Sequence, residues 1–269
     1  MWTLFEPVYG ISVFSPESRS AYEAVGLRGW GSYFAGRAAP LGPVGPAPVL
    51  ASFFSFAPVM ITRAFPAVWQ RADPGTVLGV RLAGATAALA RLTGARSEAE
   101  LAELAELLTV AVGRVGYAGR ILGAANAALG LPEDPVGRIW QAATTLREHR
   151  GDGHLAALVT AGYDGCEVLV WRAAVDIDRA VLQPARGWSD EEWQAAHDRL
   201  VARGWLAADG TPTDAGRDTF AAVEEATDRT ATDVWSTVDV DRVRALLTPV
   251  GDACRAALPA VTPVGLPAR

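Results

Sequence analysis

Apolar residues recur at helical spacing through most of the chain and almost nowhere alternate, which predicts a mainly α fold. Ser15-Pro16-Glu17 supplies a cap, a first-turn proline and an acidic start, so a helix should run to about Val25 and stop at Gly26. Residues 47–64 are nearly all apolar. Pro58 interrupts them, predicting two short helices or one kinked helix, hydrophobic all round and therefore buried. Further helices are expected over 77–92, over 97–112 with Ser97 as cap, and over 117–129. Leu131-Pro132-Glu133-Asp134-Pro135 is a break, and the next helix should span 136–148.

The second half is punctuated more closely. Short helices are expected over 155–161, 164–174 and 178–185, then a longer one over 189–203 that opens with the capping run Ser189-Asp190-Glu191-Glu192. Residues 207–212 carry an Asp209-Gly210 turn between two short extended pieces, a hairpin signal. Thr213 starts a long helix past Asp228, and 239–258 form a last amphipathic helix. Three regions follow: a pocket-forming helical domain over 1–145, a winged-helix domain with a short β-hairpin wing over 146–225, and a C-terminal helical extension over 226–269.

Against this background Arg147-Glu148-His149-Arg150-Gly151-Asp152-Gly153-His154 stands out. It sets six ionisable side chains in eight residues and holds two of the chain's 3 histidines. Two glycines predict a break between helices here, with two readings. His149, Asp152 and His154 cap the junction, or they form a working site facing the apolar N-terminal block. In the second reading the histidines are donors, acceptors or general acid/base, and Asp152 orients one imidazole. His154 would then make the direct contact, because it should open a helix whose free N–H groups favour an anion. Two histidines and a carboxylate also have the composition of a metal site, but their spacing fits no recognisable ligand pattern, and no metal is assigned.

Arg37 lies in a Gly- and aromatic-rich block, residues 30–42, and when buried needs a carboxylate or a ligand anion. Tyr33, Phe53, Phe56, Arg150 and Asn126 complete the candidate pocket. Trp171, Trp188, Trp193 and Trp205 are assigned to packing.

All basic residues are arginine, and the net charge of -6 disfavours a protein whose main task is gripping phosphate backbone. Cys166 and Cys254 are too few and too distant for a disulfide framework or zinc knuckle, and should be buried free thiols. The start of the chain lacks a signal-peptide pattern, and no stretch reaches the ~20 apolar residues of a membrane span, so a cytoplasmic protein is expected.

The order of helices ending Leu200-Val-Ala-Arg-Gly204-Trp-Leu206, the Asp-Gly turn, and Thr213-x-Ala215-Gly216 before a long helix resembles the MarR-type winged helix over about residues 164–250. That resemblance implies a DNA-reading helix over 189–203 and a C-terminal helix joining a homodimer. The whole chain resembles a narrower group of actinobacterial helix-turn-helix proteins. It does so through Phe14-Ser-Pro-Glu17, Tyr33-Phe-Ala-Gly-Arg-Ala-Ala-Pro-Leu-Gly42, Leu146-Arg-Glu-His-Arg-Gly-Asp-Gly-His154 and Arg186-Gly-Trp188. This second resemblance implies a fold and no activity.

The candidate reading helix carries four carboxylates against two arginines, and the wing has Asp209 and Asp214 without a base. Carboxylates facing phosphates repel, so DNA binding is disfavoured. The expectation is a small-molecule-binding protein, with catalysis left open and cofactor unknown. The alternative is a MarR-like regulator that senses an effector in the same pocket.

Overall fold

The computed structural model describes residues 1–263 apart from the Thr237 side chain. Its first helix, α1 (Trp2–Phe14), has no amphipathic stripe to announce it. Phe5 through Ser12 are buried without a break, because the helix is enclosed on every side. Ser15 then caps α2 (Pro16–Ala24) by accepting from the Ser18 amide at 3.1 Å. α3 (Gly29–Ala38) carries the aromatic block, and the apolar stretch after it forms α4 (Pro46–Ser52) and α5 (Pro58–Ala64), split at Pro58 as the sequence predicts.

α6 (Ala67–Arg71) leads to the longer α7 (Pro74–Thr93), capped by Asp73, and α8 (Glu98–Gly113), opened by a Ser97–Glu100 capping box. α9 (Ile121–Ala127) is shorter than its apolar pattern suggests. α10 then runs unbroken from Pro135–Ala161, through both glycines of the polar run. This corrects the expected junction. A helix-interior glycine costs about 1 kcal/mol, which long packed faces on α7, α8, α9 and α1 outweigh. The glycine at 153 has a further cause, since a Cβ there would overlap the Arg120 guanidinium. The expected boundary at residue 145 falls inside this helix.

α11 (Glu167–Val175), α12 (Arg179–Arg186) and α13 (Asp190–Ala202) follow, with α12 and α13 joined by a turn at Gly187, which is left-handed (φ 75). α14 (Asp214–Thr232) packs along α10, and α15 (Val240–Ala257) packs against α1, α7 and α8 of the same chain. The expected β-hairpin wing is absent. Among the described residues there is only an isolated antiparallel bridge between Leu206 and Pro212, closed by Ala207 N to Thr211 O at 2.8 Å. A second bond, Thr213 N to Trp205 O at 3.0 Å, flanks the bridge on its other side, and the ladder stops there because Gly204 turns left-handed after α13 and Thr213 already caps α14.

Three hydrophobic clusters hold the fold. The first joins α1, α7, α8, α10 and α15 around Trp140, Leu104 and Leu247. The second is the aromatic block of α3 with α4 to α7. The third gathers Trp171, Trp193, Leu200, Leu206 and Val223 of α11, α13, α14 and the turn between the last two. Cys166 and Cys254 are buried free thiols. Among the described residues no helix is long and apolar enough to cross a membrane.

α2 crosses α7 at Gly84, where an added Cβ would come within 2.7 Å of the Ser18 Cα. Backbone cannot yield as a flexible side chain does, so Gly84→Ala should cost about 1–3 kcal/mol despite alanine's better helix propensity. Urea unfolding measures it. An unchanged or raised midpoint would show that the α2–α7 crossing is not tightly packed.

Candidate functional site

Along α10 the residues at spacing three and four share one face, and Arg147, Arg150, Gly151, His154, Leu155 and Leu158 all line one cavity of about 380 Å³. The opposite wall comes from α3 with Tyr33 and Arg37, and from Phe53 and Phe56 around the end of α4. α11, α12 and α14 close the remaining side through Arg172, Arg186 and Glu224. The aromatic wall is rigid: Phe34 and Phe56 meet edge to face at 5.1 Å between centroids, and Tyr33 lies 5.6 Å from Phe56.

Charge at this cavity is organised by Glu148, which is almost fully buried one residue off the lining face. Arg37 clasps it with two bonds, Nε to Oε1 at 2.9 Å and Nη2 to Oε2 at 3.0 Å, and Arg147 Nη1 adds a third at 3.0 Å. Arg147 is itself held by Glu6 of α1, at 3.1 Å from Nε to Oε2. Burial alone would raise the Glu148 pKa, but the two guanidinium groups pull it down to about 2. Burial lowers the Arg37 pKa, and the Glu148 carboxylate more than offsets it, so Arg37 stays charged. Arg37 also lies over the Phe53 ring at 4.4 Å.

The other cations have different partners. Arg150 reaches Asp228 at 3.0 Å and Glu224 at 3.2 Å, and Arg172 pairs with Asp176 at 2.6 Å. Arg186 stands apart. Its guanidinium lies 4.5 Å from the Phe56 ring centroid, Nη2 donates to the Pro263 carbonyl at 3.0 Å, and Nη1 reaches the Ala185 carbonyl at 3.4 Å. Its Nε is enclosed with no acceptor, and among the described residues no carboxylate pairs with it. Burial lowers its pKa, and the nearby charges of Arg37, Arg147 and Arg172 lower it further.

Of the predicted residues, Tyr33, Arg37, Phe53, Phe56, Arg150 and His154 meet at this cavity. His154 Nδ1 lies 3.0 Å from the Thr227 hydroxyl, and desolvation lowers its pKa, favouring the neutral ring. It sits well inside α10 rather than opening a helix, so the expected free N–H groups are not there.

His149 and Asp152, three residues apart, lie on one side of α10 facing the 116–123 segment, and His154, five and two residues further on, is turned away from them. His149 lines a neighbouring cavity of about 370 Å³ that shares Trp2, Phe5 and Arg150 with the first, with Nε2 3.3 Å from the Gly116 carbonyl; burial holds its pKa at about 4. Asp152 accepts from the Gly123 amide at 2.8 Å in the first turn of α9, and burial raises its pKa to about 6. Asn126 is internal, accepting from Arg81 at 3.2 Å and donating to the Leu122 carbonyl at 2.9 Å. Among the described residues no group of His, Cys, Asp and Glu is arranged to hold a metal ion.

Arg147, Arg172 and Arg186 are not assigned to the pocket from the sequence. Reading the polar run as helix would have found Arg147, since it shares a face with Arg150 and His154. Arg186 enters only through the Arg186-Gly-Trp188 resemblance, and nothing local marks Arg172.

Glu148→Gln should remove the ionic partner of Arg37 and leave a buried cation facing an amide. Breaking such a pair costs about 3–5 kcal/mol, read as a fall in the denaturant midpoint. A loss below about 1 kcal/mol, the scale of a surface ion pair, would show that water reaches this network freely.

The turn between α12 and α13 is bound to the cavity wall. Ala57 N donates to the Arg186 carbonyl at 2.8 Å, and Trp188 Nε1 donates to the Ser55 carbonyl at 2.9 Å. The α12–α13 turn and the aromatic wall are thus hydrogen-bonded to each other. No curated protein and no solved structure matches the chain. The profile of a helix-turn-helix family matches residues 1–263, and the chain belongs to that family.

Proposed function

We propose that this protein binds a small organic molecule in the cavity between α3, α10 and α12. The observation that carries the reading is the cavity itself, about 380 Å³ and walled by both halves of the chain. That volume is within the ~300–1,000 Å³ of small-molecule sites, which are lined mainly by apolar and aromatic side chains with a few placed polar groups. In this reading Tyr33, Phe53 and Phe56 take the apolar body of the ligand. Arg37 and Arg150 shape the polar edge, and neutral His154 donates or accepts one hydrogen bond. His149 and Asp152 support the site from behind, one against the 114–120 connection and the other on α9.

Gly151 gives a direct test. It faces the cavity, and an added Cβ meets only the Glu148 carboxylate at 3.9 Å. Gly151→Phe should therefore fill the cavity without unfolding the helix, whose propensity it improves by several tenths of a kcal/mol. The neutral dye N-phenyl-1-naphthylamine, followed by fluorescence, should bind the unaltered protein and lose about ten-fold or more in affinity for the variant, corresponding to ~1.4 kcal/mol. Equal binding by both proteins would overturn the reading.

A second reading, a MarR-like regulator in which α13 reads DNA, is favoured by family membership and by the contacts that tie the α12–α13 turn to the cavity wall. A ligand pressing on Phe56 and Arg186 would act on the residues that set this turn. Its weakness is charge: Asp190, Glu191 and Asp198 are exposed on α13, while Arg199 and Arg203 are spent on Asp164 and Glu167. Fluorescence anisotropy with duplex DNA should show weak binding at low salt. Tight binding that falls steeply with added salt would make the regulator the better account.

A further inference from the structure

Arg186 is the one cation at the cavity whose charge has no carboxylate partner among the described residues. We propose that the cavity's ligand is an organic acid with an apolar body, its single anionic group received by Arg186 and its body by the apolar side chains that line the cavity. The inference rests on the ligand-binding reading above and adds the ligand's charge.

Arg186 is half-buried with its Nε fully enclosed, and a cation so withdrawn from water destabilises a protein unless an anion or several good acceptors surround it. Arg37 and Arg147 meet that cost with Glu148 and Glu6, Arg150 with Glu224 and Asp228, and Arg172 with Asp176. Arg186 has one well-placed neutral acceptor, the Pro263 carbonyl at 3.0 Å, and a long contact to Ala185, while Nε has none.

A carboxylate or sulfonate replacing the Pro263 carbonyl would take Nε and Nη2 together. That is the side-on arrangement by which Arg37 already holds Glu148. The ligand's character follows from the walls around the guanidinium. Arg186 already covers one face of Phe56 at 4.5 Å and Arg37 one face of Phe53 at 4.4 Å, so the body of an acid bound at Arg186 meets ring edges and the apolar side chains of Leu155, Leu182 and Phe220. An apolar body fits there, whereas a strongly hydrated polar body would lose its water without replacement. Arg37 and Arg147 are already neutralised by Glu148 and Glu6, so one negative charge is matched and a second is not.

Two dyes of nearly the same skeleton separate charge from shape. 8-Anilinonaphthalene-1-sulfonate carries one sulfonate, and N-phenyl-1-naphthylamine lacks it. The unaltered protein should bind the sulfonate at least about ten-fold more tightly, the scale of one charge-assisted hydrogen-bond pair. Arg186→Met should abolish that preference while changing the neutral dye's affinity less than about two-fold, and Arg186→Lys should keep part of it. Equal affinity for both dyes in the unaltered protein, or a preference that survives Arg186→Met, would overturn the inference and leave the ligand-binding reading standing. Binding of neither dye would overturn both. Should Arg186→Met lose its native circular dichroism, the two-dye comparison on the unaltered protein and on Arg186→Lys decides the matter.

Discussion

A carboxylate enclosed by protein stays ionised only where cations replace its lost water, and Glu148 is enclosed by two guanidinium groups and an aromatic wall. Much else depends on this arrangement. It fixes α3 to α10 through Arg37 and, by way of Arg147 and Glu6, brings α1 to the same place. It also commits two of the arginines around the cavity to the scaffold, which removes them from the set free to hold a ligand. Arg37 sits over Phe53 while it does so, so the same bond orients one aromatic face of the cavity.

The cavity lies where α10 passes from the N-terminal helices to the helix-turn-helix half, and walls from both meet there. That position gives the fold a plain route for coupling. The turn between α12 and α13 rests on the loop carrying Ser55 through Ala57, and its last helical residue, Arg186, reaches over Phe56. Ser55, Phe56 and Arg186 of this joint line the cavity. Ligand binding and helix-turn-helix architecture are therefore compatible, whichever surface the second half presents to a partner.

The polar run illustrates what is gained by following a helix rather than a linear string. Six ionisable groups that look like one cluster are distributed by α10 to four environments. Arg147, Arg150 and His154 face the main cavity, Glu148 the buried ion network, His149 the neighbouring cavity, and Asp152 the first turn of α9. Each buried member is explained by a local partner. The glycines between them admit Arg120 on one side and leave room in the cavity on the other.

Sequence by itself determined the helical class, the caps at Ser15, Ser97 and Ser189, the split at Pro58, the run of helices through the helix-turn-helix, and the burial of both thiols, because each rests on local chemistry or short periodicity. It also brought forward Tyr33, Arg37, Phe53, Phe56, Arg150 and His154, whose residue types are costly or conspicuous in an apolar chain. Tertiary structure decided the rest. Two glycines broke no helix, because packing along the length of α10 outweighed their propensity. The Asp-Gly turn made no wing, because the left-handed turn at Gly204 and the Thr213 cap of α14 stop the ladder. α1 was hidden because a helix buried all round carries no stripe. The separation of structural from unpartnered arginines was settled only in three dimensions, since Arg37 and Arg186 differ not in local sequence chemistry but in whether a carboxylate far along the chain folds back to meet them.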